Sequence, residues 1–371
     1  MKKIISLSFI IIFISSLVSC FDYDEINKIT FVNAMIVDIN YNNEVSVYLD
    51  CVTSYKNAKE SQEKAKRIIF EGSGKTIMQA IEKIKSESSN HLNFSQIKSY
   101  IFTEACCRQG IDKYLDNIKS NQSFAYKANI FAYFGDVKDL LQTKNIDEEY
   151  LGVYLEDLIK TNKDNARILE SDINKYVSDS SKSENISFIT KLAMEGKEEE
   201  AKIKVDGAIV MKNNKLINVM NEEDVCIYKI LNDNVNKGEF EVTNPNKKTS
   251  LISMEILKND IKSNVNIIND KLVLNKKINI KSVIAEIQEE LVVNNESVYK
   301  IEKEVAEVLT KRASDFYRKY YNQSIDIFHL KDFCEKRHPD YILSEEVLKN
   351  SVLNITISID IENDGMMKNK I

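Results

Sequence analysis

The sequence predicts an α+β protein with more than one domain, in which mixed and antiparallel sheets pack against helices. Strand-like runs of β-branched and aromatic residues alternate with helical patterns over residues 31–160. A hairpin pattern occupies 202–219, and the last third places alternating strands around one long amphipathic helix. A chain of 371 residues is also longer than one hydrophobic core usually serves, so we expect several domains.

The N-terminus has the composition of an export signal. Two lysines precede an apolar run over 4–18, and small residues stand before a cysteine. The tetrapeptide Leu17-Val18-Ser19-Cys20 resembles a bacterial lipobox, in which the cysteine is diacylated and the chain is cut before it. Two acyl chains hold a protein stably on a membrane, whereas one gives marginal binding. We therefore expect residues 1–19 to be removed and Cys20 to carry lipid outside the cytoplasmic membrane.

Two alternatives compete with the lipobox interpretation. An uncut membrane anchor fits poorly, because the 15-residue run of 4–18 is interrupted by four serines and spanning hydrocarbon takes about 20 apolar residues. An ordinary secretory signal cut after Ser19 leaves Cys20 without a role. Lipid attachment at Cys20 accounts for both the apolar run and the cysteine.

The charge balance argues against nucleic acid as a partner. The chain has 51 basic and 57 acidic residues and a formal net charge of −6. Loss of residues 1–19 removes two lysines and no acid, which makes the net charge −8. Binding to phosphates needs a net basic surface or a basic face.

Five cysteines follow Cys20, an odd number without a CxxC pair. They are Cys51, Cys106, Cys107, Cys226 and Cys334. No zinc-ligand spacing is present among them. We expect free or buried thiols that behave as small hydrophobic side chains, and the sequence leaves open whether any two of them pair.

The N-terminal α+β region, 20–200, begins with a predicted hairpin. Strands at 31–39 and 44–52 flank Asn42-Asn43, and asparagine tolerates the positive φ angles of tight turns. The other predicted elements are helices at 58–70 and 77–86, a buried strand at 97–103, a helix at 111–118, a strand at 126–133, helices at 136–141 and 150–160, and a polar break at 178–184.

The middle region, 201–245, is predicted to contain a second hairpin, a helix and a linker. Asn213-Asn214 repeats the turn chemistry of the first hairpin. The helix at 222–231 opens with three acids, which favour a helix N-terminus. The polar stretch 232–250 is the predicted domain boundary.

The C-terminal α+β domain, 246–371, is predicted from three patterns. Apolar and polar residues alternate over 265–280 and again over 353–361, which indicates strands with one buried face. Between them, apolar residues spaced by three and four predict a long helix over 297–318.

Residues 72–76, Gly-Ser-Gly-Lys-Thr, are similar to the end of a phosphate-binding loop. A complete loop needs a glycine five positions before Gly74, where Ile69 stands. We expect instead a turn in which Thr76 caps the following helix.

No pattern predicts an enzyme, a cofactor or a metal site. His91, His329 and His338 are far apart in the sequence, and none has a second ligand at helical spacing. Adjacent acids such as Asp147 and Glu148 fit a solvated face. The basic groups at 312–319 and 336–338 fit a charged helix face better than contact with anionic lipid.

Several short motifs follow one another in a fixed order. They are residues 20–27 (Cys-Phe-Asp-Tyr-Asp-Glu-Ile-Asn), 71–76 (Glu-Gly-Ser-Gly-Lys-Thr), the strand at 97–104 with Gly110-Ile111, Asp206-Gly207-Ala208, and His338-Pro339. In this order they resemble the Ger(x)C family, the lipoprotein C subunits of spore germinant receptors. The family usually has tryptophan after the lipidated cysteine, where this chain has Phe21.

The resemblance implies a three-domain α+β fold and a lipid-anchored, non-enzymatic subunit on the outer face of the spore inner membrane. It implies A-type and B-type membrane subunits as partners in a receptor that responds to nutrients. A solute-binding lipoprotein of a transport system is the alternative, but it needs two similar lobes, and the halves of this chain differ. A cell-envelope hydrolase lacks a paired acid, serine or metal signature.

Overall fold

Two β-sheets with helices packed on them confirm the α+β class. The computed structural model describes residues 28–56, 63–143, 149–196, 201–244, 247–269, 271–288, 295–339 and 343–362. In these ranges one sheet has nine strands and the other has four. No helix of the described ranges is both long and apolar enough to cross a membrane.

The first sheet is mixed. Its strands are β1 (Ile29–Ile39), β2 (Val45–Lys56), β3 (Glu63–Gly74), β4 (His91–Asn93), β5 (Ser99–Thr103), β6 (Asn129–Tyr133), β7 (Ile186–Glu195), β8 (Lys202–Lys212) and β9 (Lys215–Met220). Their order is β3-β2-β1-β5-β6-β7-β8-β9, with β4 also paired to β1. Strands β1, β5, β6 and β7 are parallel, and antiparallel strands flank them on both sides.

Six helices cover both faces of the first sheet. They are α1 (Ile77–Glu87), α2 (Glu104–Gln109), α3 (Asp112–Ser120), α4 (Val137–Gln142), α5 (Leu151–Asn162) and α6 (Ile173–Ser180). The first three helices and α6 share one hydrophobic cluster with the sheet. Helices α4 and α5 form a separate cluster, which contains inward-facing residues such as Ile36 and Phe131.

The second sheet has strands β10 (Glu239–Asn244), β11 (Lys247–Ile268), β12 (Lys271–Ile287) and β13 (Val352–Ile361), in that order. Helices α7 (Glu222–Asn232), α8 (Asn295–Tyr321), α9 (Leu330–Arg337) and α10 (Glu345–Lys349) accompany it. Residues of β12 and β13 such as Ile280 and Ile357 are buried in one cluster with Val305 and Leu309 of α8. The alternating strands and the long helix therefore bury their apolar faces together.

Most predicted elements are confirmed, with ends that differ by a few residues. They are the hairpins at 31–52 and 202–219, the helices at 77–86, 111–118, 136–141, 150–160, 222–231 and 297–318, and the strand patterns at 97–103, 126–133, 265–280 and 353–361. The prediction that asparagines adopt positive φ angles in the two hairpin turns is confirmed. The φ angles of Asn43, Asn213 and Asn214 are 59°, 51° and 60°.

The helix predicted over 58–70 is wrong. Its described part, 63–70, belongs to β3, which pairs with β2 from Lys56↔Glu63 to Val45↔Gly74. Strand β3 lies at the edge of the sheet, where charged side chains are tolerated and even protective. Its lysines and glutamates therefore suit a strand, although their composition is typical of a helix surface. Helix α6 and strand β7 were not predicted.

The two sheets share a hydrophobic core. One cluster contains Phe188 of β7 and Val210 of β8 from the first sheet, Leu231 of α7, and the buried faces of β10–β13 and α8. The hairpin of β8 and β9 belongs to the first sheet, and β10 lies within the predicted boundary segment 232–250. The three-domain division at 201 and 246 stays a prediction.

Candidate functional site at the junction of the two sheets

The predicted lipid attachment lies outside the described residues, as do Leu17, Val18, Ser19 and Cys20. Strand β1 begins at Ile29, nine residues after Cys20. Lipid attachment at Cys20 therefore stays a prediction.

The helix cap expected at Thr76 is confirmed, whereas residues 72–74, which were expected in a turn, are the last residues of strand β3. Thr76 Oγ1 accepts a hydrogen bond of 3.1 Å from the amide of Gln79, which caps α1. A Cβ atom at Gly72 would lie 2.6 Å from the carbonyl oxygen of Ala80. The glycine therefore allows α1 to pack closely against the end of β3, and the segment has a structural explanation.

The three histidines do not converge. His91 is exposed at the start of β4, and His338 follows α9. His329 directly precedes α9, with its Nε2 3.9 Å from a carboxylate oxygen of Asp179, and burial lowers its pKa to about 4, which keeps the imidazole neutral. Across the described ranges, no group of three or more His, Cys, Asp and Glu side chains is arranged to hold a metal ion.

The five described cysteines are free. All but Cys226 are buried, and Cys226 is partly buried. Burial raises the thiol pKa values, to about 12 for Cys106. The expectation of free or buried thiols is confirmed for these residues.

Helix α7 lies at the junction of the two sheets. Its residue Lys229 bonds it to the segment that follows α5, next to the first sheet. The Lys229 side chain is buried, and its Nζ donates to the carbonyl oxygens of Lys163, Asn165 and Ile168 at 3.1, 2.9 and 2.8 Å. Burial lowers the pKa of this lysine. Its three donors satisfy backbone groups of the segment that follows α5.

The C-terminal end of α7 is held by the second sheet. Asn259 of β11 is fully buried and donates to the carbonyl oxygens of Ile230 and Asp233 at 3.0 and 3.1 Å. Lys276 of β12 donates to the carbonyl oxygen of Leu231 at 2.7 Å. Helix C-termini leave carbonyl groups without partners, and a cation there also favours the helix dipole. Two side chains of one sheet thus complete the end of α7.

The N-terminal end of α7 contacts the long helix α8. Asn221 caps α7 by accepting from the amide of Asp224 at 2.8 Å. The Asp224 carboxylate accepts hydrogen bonds from Lys319 at 2.5 Å and Tyr320 at 3.1 Å. Both ends of α7 are therefore fixed to the C-terminal region.

A row of aromatic rings crosses the junction. Phe188 of β7 lies 5.0 Å from Tyr228 of α7, which stacks at 5.8 Å on Phe328. Phe328 continues to Tyr317 of α8 at 6.2 Å, and Tyr317 stacks on Tyr321 at 4.1 Å. Aromatic pairs at such distances add stability beyond the area that they bury. The row joins the first sheet to the long helix.

Glu184 bridges the two regions at the periphery of the junction. Its carboxylate accepts from Lys212 of β8 at 2.8 Å and from Lys331 of α9 at 2.7 Å. Burial acts to raise the pKa of Glu184, but the hydrogen bonds from the two lysines outweigh it and lower the pKa below its ordinary value.

These contacts make the junction of the two sheets a structural site built around α7. Lys229, Asn259 and Lys276 each donate to backbone carbonyls, which joins α7 to the segment after α5 and to the second sheet. Sequence reasoning did not identify them. The available signal was a lysine on the apolar side of an otherwise regular pattern, as in Cys-Ile-Tyr-Lys-Ile-Leu at 226–231.

Two domain families match the chain in succession. The family described as spore germination protein N-terminal domain matches residues 22–193. The family described as spore germination B3/GerAC like, C-terminal matches residues 206–365. The first match runs from before β1 into β7, and the second begins within β8 and continues through β13.

Curated relatives agree with these matches. Spore germination protein GerQC of Bacillus cereus is 21% identical over 283 residues, which covers 76% of each chain. The putative spore germination protein YfkR of Bacillus subtilis (strain 168) is 24% identical over 304 residues, covering 80% of this chain and 78% of that one. A crystal structure of the GerBC protein aligns with a TM-score of 0.54 at 16% identity, over 89% of this chain and 97% of that one.

The α+β fold with two sheets and the two consecutive domain matches define a spore germination protein. The chain belongs to the Ger(x)C family, the family of the germinant receptor C subunits.

Proposed function

We propose that this protein is a membrane-anchored lipoprotein subunit of a nutrient germinant receptor, which acts in the assembly and signalling that trigger spore germination. The proposal rests on the position of the predicted lipobox relative to the family match. The first family match begins at residue 22, two residues after Cys20. Cys20 is the acylated N-terminus, and Leu17, Val18 and Ser19 are the residues before the cleavage.

The short segment after Cys20 places the folded region close to the membrane. From Cys20 to Lys28 the chain has eight peptide steps, which span at most about 29 Å when fully extended. On the outer face of the spore inner membrane, this reach keeps the domain next to the A-type and B-type membrane subunits.

The junction suits a subunit that positions partners. Helix α7 is bonded to the segment after α5 through Lys229 and to the second sheet through Asn259 and Lys276, so one helix joins the two sheets. A rigid body on a short tether can hold a binding surface in place or relay a displacement. Neither role needs a reacting group.

The alternative, a solute-binding lipoprotein of a transport system, is less well supported. Such proteins need two similar lobes around a cleft. Here the described part of the chain forms one mixed sheet of nine strands and another sheet of four.

Co-purification from dormant spores separates the two functions. The full-length protein carries a C-terminal affinity tag at its native locus, and spore membranes are solubilised in mild detergent before mass spectrometry. We expect A-type and B-type receptor subunits, enriched over an untagged strain. Recovery of a permease with an ATPase, without receptor subunits, would instead support the transport function.

A further inference from the structure

Strand β13 stands at one end of the second sheet and pairs with a strand on one side only in the described ranges. It runs parallel to β12 from Val273↔Val352 to Ser282↔Ile361 without a bulge. A strand at the edge of a sheet presents unpaired backbone N–H and C=O groups to any extended segment that reaches them. The open side of β13 is therefore a surface for strand pairing.

The other three strands that end the two described sheets carry features that oppose such pairing. Strand β3 is rich in charged residues, among them Lys64, Lys66 and Arg67. Strands β9 and β10 have six residues each, and the pairing of each contains an irregularity. Charges, short length and bulges all protect edges. Strand β13 has ten residues, no lysine or proline, and Asp360 as its one charged residue.

The hydrogen bonds of β13 show which backbone groups are open. The amide of Glu362, just after β13, donates to the carbonyl oxygen of Ser282 at 2.9 Å. Successive residues of a strand direct their N–H and C=O groups to opposite sides, so even-numbered residues face β12 and odd-numbered residues face the open side. The amide of Ile361 agrees with this, since it donates to Glu302 Oε1 of α8 at 3.0 Å.

Four further odd-numbered residues precede Ile361 on the open side. In the part of the chain that the structure describes, their amides have no hydrogen-bond partner: Leu353, Ile355, Ile357 and Ile359. Their side chains turn toward the core, where Ile357 and Ile359 are buried. The opposite face of β13 is exposed and bears short polar side chains: Asn354, Thr356, Ser358 and Asp360. A strand added at this edge extends both faces if it alternates apolar and polar residues in the same way.

We propose that β13 pairs with β13 of a second copy of this chain, antiparallel and around a two-fold axis at Ile357. In this register Thr356 lies opposite Ser358 of the second copy, and Asn354 lies opposite Asp360. No two like charges meet, and β-branched side chains face each other on the inner side. A two-fold interface is closed and self-complementary, which favours a second copy over an unrelated segment. The inference goes beyond the proposed receptor function and does not require the anchor.

A pair of cysteines tests the register. Opposed residues whose N–H and C=O groups point away from each other have Cα atoms about 4.5 Å apart, a distance that a disulfide bridges. The full chain with Thr356→Cys/Ser358→Cys is oxidised in a neutral detergent and analysed on a non-reducing gel. We expect a covalent dimer. The matched variant Asn264→Cys/Asn266→Cys, on the exposed face of β11, and the wild type should stay monomeric on the gel.

Charges at the same positions should separate the two copies. Thr356→Glu/Ser358→Glu places carboxylates of the two copies opposite each other, whereas within one chain Thr356 is paired with Lys277, so folding is preserved. Sedimentation velocity of the full chain, in a detergent matched in density to the solvent, measures the association. We expect dimerisation of the wild type to be about tenfold tighter than that of this variant.

The matched variant Asn264→Glu/Asn266→Glu carries the same added charge on β11 and should dimerise as the wild type does. A thermal melt verifies that both variants are folded. The proposal is overturned if the wild type stays monomeric at every concentration. It is also overturned if Thr356→Glu/Ser358→Glu dimerises as tightly as the wild type, or if Thr356→Cys/Ser358→Cys gives no covalent dimer.

Discussion

Lys229 is the residue on which the junction depends most. It stands on a helix whose neighbours Tyr228, Ile230 and Leu231 are all buried, and its own side chain is 4% exposed. Three backbone carbonyl groups accept from its ammonium. A buried carbonyl without a donor is destabilising by about 1–3 kcal/mol.

Replacing Lys229 by methionine keeps the length of the side chain and removes the donors. We expect Lys229→Met to lower the free energy of unfolding by about 3 kcal/mol, because the carbonyls of Lys163 and Ile168 lose this donor and that of Asn165 keeps only the Ile168 amide. Urea denaturation of the full chain measures it. The control is Lys300→Met on α8, whose exposed i,i+4 pair with Glu296 contributes only about 0.5 kcal/mol. Equal effects of the two substitutions would contradict the assignment.

Glu184 predicts a pH dependence of stability. Its folded-state pKa lies below the ordinary value of 4.5, so the unfolded state binds the proton more readily. The stability from this carboxylate is therefore present above about pH 4.5 and is lost as the pH falls through the folded-state pKa.

The Glu184→Gln variant should be about 1–2 kcal/mol less stable than the wild type at pH 7. The difference should shrink below about pH 4.5, as the wild-type carboxylate is protonated. Urea midpoints from pH 3 to pH 7 measure it, with Glu362→Gln, an exposed partner of Lys281, as the control. A difference that stays constant with pH would show that the charge of Glu184 does not matter.

The roles of residues that interact with sequence neighbours were predictable, whereas the roles of residues whose partners are far away in the sequence were not. The cap at Thr76 and the turn at Asn213 follow from neighbouring residues and were predicted correctly. Lys229 and Lys276 bind carbonyl groups about 60 and 45 residues away in the sequence. No periodicity encodes such partners, because they are set by the way in which the sheets pack.

At the level of elements, amphipathic patterns identified strands and helices wherever one face is buried. The pattern at 353–361 is such a case, since Ile357 and Ile359 are buried in β13. The prediction was wrong at strand β3, because this edge strand is rich in charged residues whose local propensity favours a helix. Pairing with β2 along twelve residues overrides that propensity.

Helix α5 packs on β1 at Gly152, where a Cβ atom would lie 2.1 Å from the carbonyl oxygen of Asn33. Alanine normally stabilises a helix interior relative to glycine by about 1 kcal/mol. Here we expect Gly152→Ala to destabilise the protein by about 2–4 kcal/mol, because two backbone segments must separate. Thermal denaturation measures it, and Thr161→Ala, exposed on the same helix, should be neutral or slightly stabilising. A stabilising Gly152→Ala would contradict this packing.

At the scale of the molecule, the two sheets share a hydrophobic core, and we therefore expect them to unfold as one cooperative unit. The sequence predicted three regions, 20–200, 201–245 and 246–371, but the contact of the two sheets through Phe188, Tyr228 and Phe328 depends on the order of the strands in space. Strand order is not written in hydrophobic periodicity. The periodicity therefore could not predict that the β8–β9 hairpin belongs to the first sheet.

Cooperativity across the junction can be measured directly. We expect one calorimetric unfolding transition for the full chain, and we expect Phe188→Ala to lower its stability by about 3–5 kcal/mol without splitting it, because α7 stays bonded to both regions. Exposed Tyr41→Ala is the control and should leave the melting temperature unchanged. Two separate transitions in the wild type would show that the sheets unfold independently.

The central claim, that the protein acts as a lipid-anchored subunit of a germinant receptor, is tested most directly by the substitution Cys20→Ala at the native locus. Membrane and soluble fractions of dormant spores are compared by immunoblot, and nutrient-triggered germination is timed in the same spores. A Ser16→Ala strain, altered within the apolar run before the lipobox, is the control. We expect Cys20→Ala to lose the protein from the membrane fraction and to slow or abolish germination. Full membrane retention, or a normal nutrient response without the anchored protein, would contradict the account.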